Sequence, residues 1–286
     1  LITATVNPNL TPIVSISSNA ISNTICSGDA IVYTATSSNG GTSPTYQWFL
    51  NGSSVLATGS TFSTNGLLSG DKVKVVLTSN ETCLTINTAT SNEITTQVDP
   101  YISASVSVAV SSTNICQGTN VSFIATPTNG GLSPSYQWKI NGTNAGVNSP
   151  IFNSSLLQNS DVVSVVMTSN DPSVCLINNP ATSNGITMTV NPNLTPTVNI
   201  TSSAISICQG AELIFTANST NGGTSPTYQW QAKVSGGGWS NVGIGGTSFS
   251  SSSLNNGDQV RVLLSSSLTC LSSSNPFNSN VITATV

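Results

Sequence analysis

One stretch of ten residues occurs three times and constrains everything else. Asn39-Gly40-Gly41-Thr42-Ser43-Pro44-Thr45-Tyr46-Gln47-Trp48 returns as Asn129 to Trp138 and again as Asn221 to Trp230. Its first half is turn chemistry, with glycines for positive φ and a proline that cannot sit in a central strand. Its second half alternates, so Tyr and Trp share one face of a strand and Gln takes the other. The tryptophans stand 90 and then 92 residues apart, which predicts three β-domains of sandwich size in 286 residues.

The chain between these anchors repeats in register. Each unit opens on a short apolar strand (Ile13–Ile16, Ile102–Val110, Val198–Ile200) followed by Ile-Cys-x-Gly at Cys26, Cys116 and Cys208. A strand with inward Ile31/Tyr33/Ala35, Val121/Phe123/Ala125 or Leu213/Phe215/Ala217 follows, then the Trp strand. Asn51-Gly52 and Asn141-Gly142 close it as hairpins, whereas the third unit has Gly236-Gly237-Gly238-Trp239. Phe62, Phe152 and Phe249 lead to Asp71, Asp161 and Asp258, each opening the most regular strand, Val73-x-Val75-x-Leu77 and its counterparts. The second cysteine (Cys83, Cys175, Cys270) and a last strand end the unit. Seven short strands without a helical period predict an all-β chain of three tandem β-sandwiches. The expected division is residues 7–98, 99–190 and 191–286, with 1–6 as the last strand of an upstream repeat, because Leu1 to Val6 nearly duplicates Val281 to Val286. Short Asn/Pro joints predict domains that abut closely.

Composition removes several function classes. Five basic and nine acidic residues and no histidine leave no basic surface for nucleic acid and no polybasic patch for lipid. No apolar run reaches the length of a membrane span. Serines are abundant, but no repeated base accompanies them, so catalysis is not expected. Two cysteines per repeat, without Cys-x-x-Cys spacing, favour an oxidising compartment over a metal site, and no cofactor is implied.

The order Trp strand, hairpin, Leu-x-x-x-Asp-x-Val-x-Val-x-Leu resembles an immunoglobulin-like domain. Ala35 and Leu77 stand where that family has buried cysteines, and Val75 where it has a tyrosine corner. The set Cys26, Trp48, Gly70-Asp71, Thr78-Ser79-Asn80, Cys83 and Ile94-Thr95 resembles the PKD-like and Ig-like repeats of giant Bacteroidota surface proteins. The second repeat has Ser160 for the Gly, and the third ends this segment in Ser265-Ser266-Ser267. The resemblance covers the whole chain. It implies stalks and adhesins at the cell surface, gliding adhesins among them, exported by the type IX system.

In an Ig-like Greek key the second and penultimate strands run the same way in opposite sheets. Cys26 precedes the one and Cys83 follows the other, so they lie at opposite poles, more than ~20 Å apart. A disulfide needs Cα atoms within ~7 Å. In a head-to-tail array the starting pole of one repeat meets the ending pole of the next. That favours Cys26–Cys175 and Cys116–Cys270, with Cys83 and Cys208 facing further repeats. Internal pairs (Cys26–Cys83, Cys116–Cys175, Cys208–Cys270) stay open if the connection folds back.

Other candidates read mostly as architecture. Trp48, Trp138 and Trp230 are core anchors before they are sugar platforms. Asp71, Asp161 and Asp258 are single turn acids, while Ca²⁺ takes 6–8 oxygens. Val76, Val166 and Leu263 form an outward apolar stripe, and Trp239 has no counterpart; these four are the candidate partner contacts. The function expected is a structural, adhesive segment of a long extracellular protein. Its expected partners are neighbouring repeats, other copies in a fibre, or surface glycans. A carbohydrate-binding array of a secreted enzyme and a strand-exchanged fibre subunit are the alternatives.

Overall fold

Alternation decides which side of each strand is buried. Ile31, Tyr33 and Ala35 face a core while Val32 and Thr34 face out, and Val73, Val75 and Leu77 do the same from the opposite sheet. The computed structural model describes residues 2–4, 6–243 and 245–286. The first repeat contains β1 (Ile13–Ser18), β2 (Thr24–Cys26), β3 (Ile31–Ser38), β4 (Thr45–Leu50), β5 (Ser53–Ser54), β6 (Thr61–Thr64), β7 (Lys72–Thr78), β8 (Thr88–Thr90), β9 (Ile94–Thr95) and β10 (Gln97–Asp99). One sheet has the order β1-β3-β6 and the other β5-β4-β7-β8, with β9 also on β7.

The second repeat sets Ser105–Val110, Val121–Thr128 and Ile151–Ser154 against Thr143–Ala145, Ser135–Ile140, Val162–Thr168 and Ala181–Thr182. The third repeats this order from Thr197–Ser202 to Phe277–Asn278. The chain is thus three tandem Ig-like β-sandwiches, each with a core of its own.

Each core is centred on the tryptophan of the repeated motif. Trp48 and Trp138 are fully buried and Trp230 nearly so. Trp48 lies 5.8 Å from Phe62 and 6.5 Å from Tyr33 between ring centroids, and the same triad recurs as Phe123/Trp138/Phe152 and Phe215/Trp230/Phe249. The indole nitrogens donate to carbonyls of Gly59, Ser149 and Gly246 at 2.8–3.1 Å, so no buried donor is left over. In the first repeat the buried Tyr33 hydroxyl is bonded to Thr96; the others have Phe123 with Met188 and Phe215 with Ala284.

Two details differ from the seven-strand expectation. The last strand is broken: β8 already pairs with β7 inside the expected connection, and the chain rejoins β7 at β9. At the break, the Asn92 amide grips the backbone of Ile16, accepting from its N–H and donating to its carbonyl, and thereby ties the two sheets together. Asn184 and Asn280 do the same at Val108 and Ile200. The second difference is an extra short strand ahead of β3: Ile25-Cys26 lies in β2, which pairs in parallel with β10, and Ile115-Cys116 does the same in the second repeat. Of residues 1–6, Leu1 and Thr5 lie outside the described residues; Ile2, Ala4 and Val6 are exposed, and no described strand pairs with them.

Candidate functional site at the stapled joints

The glycine-rich turn is held by the residues after the penultimate strand. Gly41 sits at φ +83°, and a Cβ there would stand 2.1 Å from the Asn80 side-chain oxygen. The close approach lets Asn80 accept from the Ser43 N–H while its own N–H donates to the Gly40 carbonyl. Ser79 donates to the Asn39 carbonyl, and Asn39 in turn donates to the Thr11 carbonyl in the entering chain. Asn129 and Asn221 make the same bond to Ser103 and Thr195. One pole of every repeat is thereby fixed, with its cysteine loop.

The entering chain is then zipped to that loop. Ile102 N–H donates to the Cys175 carbonyl at 3.0 Å and Ala104 N–H to that of Ile177, a short parallel ladder. Leu194 pairs with Leu271, and Leu10 with Leu84, in the same way. At the opposite pole β2 lies beside β10, and Ser27 N–H donates to the Asp99 carbonyl. Asn114–Cys116 pairs likewise with Thr189–Asn191. The residues between two repeats are therefore bonded on one side to the repeat they leave and on the other to the repeat they enter.

This arrangement brings cysteines of neighbouring repeats together. Cys26 is bonded to Cys175 and Cys116 to Cys270, with Cα atoms 5.4 and 5.3 Å apart at sequence separations of 149 and 154. These are the two inter-repeat pairs that strand direction favours; the internal pairs are not formed. Tyr101, at the first joint, donates to the Asp29 carboxylate at 2.7 Å, which raises the phenol's pKa. Asn193, at the second, donates to the Gln117 carbonyl. Among the described residues Cys83 and Cys208 stand outside any disulfide, both exposed.

The remaining candidates lie apart from the joints. Asp71 accepts from the Asn51 amide and the Leu68 N–H, and these two bonds hold its carboxyl below its ordinary value of 3.8. Asp161 makes the equivalent pair of bonds, and Asp258 accepts from Ser235 and Asn255 N–H groups. All three are spent on turns. Among the described residues no group of three or more His, Cys, Asp or Glu could hold a metal. Trp239 carries the Arg261 guanidinium 4.2 Å above its ring, and Arg261 is also bonded to Gln231. One face of that ring is thus covered from within the repeat. Val76, Val166 and Leu263 are half-buried opposite Gln47, Gln137 and Gln229. These glutamines are the residues sequence reasoning missed: each side-chain amide donates to the Trp carbonyl and to a carbonyl of the edge strand or its turn. Their recurrence inside Tyr-Gln-Trp was the available signal.

No protein-family model and no curated protein sequence matches the chain. Among solved structures, it is similar to three N-terminal domains of the bacteriophage RB49 Highly Immunogenic Outer Capsid protein, at 13% identity, TM-score 0.35, covering 96% of this chain and 98% of that one. It is also similar to a tetra-tandem repeat in the extending region of a large adhesion protein (13%, 0.28, 96% and 74%). A third likeness is to the eight N-terminal Ig domains of Down Syndrome Cell Adhesion Molecule (9%, 0.34, 96% and 54%), about half of which the chain spans. At these TM-scores the likenesses assign no family and no role. The Ig-like assignment rests on the strand pairing described above.

Proposed function

We propose that this chain is a structural stalk segment within a long extracellular adhesin or fibre, serving to hold a distal binding part away from the surface that anchors it. The observation that carries the reading is the joint: each meeting of repeats is closed by a disulfide, by parallel backbone pairing on both sides and by side-chain bonds to the connecting residues. Such joints resist bending, which a spacer needs and a set of independently acting binding modules does not. Structural disulfides of this kind also suit an oxidising, extracellular compartment. The sequence signature extends the proposal to Bacteroidota surface adhesins of the gliding type. Cys83 and Cys208 occupy the positions from which the same staple would continue into a further repeat, whether in one polypeptide or in another copy.

Deletion of residues 99–190 from the whole protein tests the proposal. Immunogold labelling of a distal domain is expected to move closer to the cell surface while purified protein keeps its ligand affinity. An unchanged labelling distance, or loss of the affinity itself, contradicts it.

A further inference from the structure

We infer that, while the outer repeats stay folded, the staples take residues 117 to 174 of the middle repeat out of the covalent load path, and that either staple alone is sufficient. The inference rests on connectivity and holds whatever ligand the array serves. The first repeat holds the second at two points, the peptide entering at Ile102 and the disulfide at Cys175. The third repeat holds it at two others, the disulfide at Cys116 and the peptide leaving at Asn191.

The shortest covalent routes between the neighbours are therefore residues 102 to 116 and 175 to 191, 14 and 16 peptide steps. Residues 117 to 174, with Phe123, Trp138, Phe152, Val165 and Met167, lie on neither. The 14-step route is already drawn out as the strands Ile102–Ser103, Ser105–Val110 and Asn114–Cys116. Fully extended it spans about 50 Å, and strands already rise ~3.3 Å per residue. Unfolding the middle repeat between intact neighbours thus lengthens the chain very little. Without staples the only route runs from 102 to 191, 89 steps or roughly 310 Å.

The two routes are redundant. Loss of Cys26–Cys175 leaves the route from 102 to 116, and loss of Cys116–Cys270 leaves that from 175 to 191. An array with internal disulfides would lack this property, since each bond would stand in series with the rest of its repeat.

Single-molecule stretching of the full chain, held at its two termini, tests this. With both staples and all three repeats unfolded, the limiting route turns back through the middle repeat: 25 steps from residue 1 to Cys26, 59 from Cys175 back to Cys116 and 16 from Cys270 to residue 286, about 100 in all. That caps extension at about 350 Å. The Cys26→Ser/Cys175→Ser variant has a limit of about 131 steps (1 to 116, then 270 to 286), or roughly 460 Å. Full reduction releases 285 steps, about 1,000 Å. A double variant that extends beyond roughly 700 Å in oxidising buffer overturns the inference. Graded reduction of the unmodified chain is the second measurement: limits near 350, 460–480 and 1,000 Å are expected. A single jump from the first to the last, or one limit at every degree of reduction, overturns it as well.

Discussion

The last strands of the first and third repeats end alike in sequence and differently in structure. In the first, Thr24–Cys26 pairs with Gln97–Asp99, and Cys26 is buried in its bond to Cys175. In the third, the corresponding Ser206-Ile207-Cys208 is not strand; Ile207 N–H donates to the Thr285 carbonyl in place of a ladder, and Cys208 is exposed. The same residues thus make a ladder at the joint between the first and second repeats and an open segment in the third. The joint belongs to pairs of repeats, and each sandwich core belongs to one.

Reduction gives the largest test of that difference. When the middle repeat unfolds between folded neighbours, its chain is still closed into loops of 73 residues (102 to 175) and 75 residues (116 to 191). Chain entropy makes each closure worth about 4 kcal/mol, with the two not additive. Calorimetry of the reduced chain is expected to show one repeat falling by at least that amount and the outer two by less. Equal losses in all three would break the comparison.

The glycine of the pinned turn sharpens it. At Gly131 (φ +76°) a Cβ would stand 2.3 Å from the Asn170 side chain and 2.5 Å from the Asp171 nitrogen. Gly131→Ala is expected to cost about 3 kcal/mol through positive φ and backbone contact. It also displaces the loop that carries Cys175, so dithiothreitol should cleave Cys26–Cys175 faster. Gly41→Ala has a similar local cost but lies at the pole of Cys83, and is expected to leave both disulfides at their original rates. Equal rates in the two variants would show that the turn does not position the staple.

Much of this was legible beforehand, for a reason that can be named. Period-two alternation and turn residues are local, so the repeat, the Trp core and the turn acids could be read directly. The staples followed only because strand direction is a property of the sandwich as a whole. What escaped was long-range and polar. The Asn92 grip on Ile16 spans 76 residues, and nothing near either residue announces it. Alternation places Gln47 on the outward face but does not show that its amide bridges two carbonyls. Trp239 looked free because Arg261, which covers it, lies on another strand.

Smaller effects separate the first repeat from the others. Thr96→Val leaves the buried Tyr33 hydroxyl without its partner and is expected to cost 1–3 kcal/mol in that repeat alone. The Met188→Val control removes no such partner, and its loss is expected to be confined to packing. Equal losses would show that the hydroxyl bond contributes nothing. Titration is smaller still. Burial raises the Tyr33 pKa above 10.0, so its contribution is complete below that pH and is lost as pH rises through the folded value. The Asp71 carboxyl is lowered, so its contribution is present above 3.8 and is lost as pH falls through the folded value. Melting temperatures between about pH 5 and 9 are expected to coincide, with no histidine to titrate there. A broad transition inside that window would reveal a charged network beyond the exposed Lys72–Glu93 pair.

The inter-repeat staple itself is tested most directly by a tryptic digest without reduction, after denaturation and alkylation of free thiols. The five basic residues are Lys72, Lys74, Lys139, Lys233 and Arg261, so the cysteines fall on fragments 1–72, 75–139, 140–233 and 262–286. Cys26–Cys175 joins 1–72 to 140–233, and Cys116–Cys270 joins 75–139 to 262–286. The account predicts two separate cross-linked pairs by mass spectrometry, with alkylated Cys83 and Cys208 on one fragment of each. Internal disulfides would instead link all four fragments into one species with no alkylated cysteine, and that single mass would contradict the account.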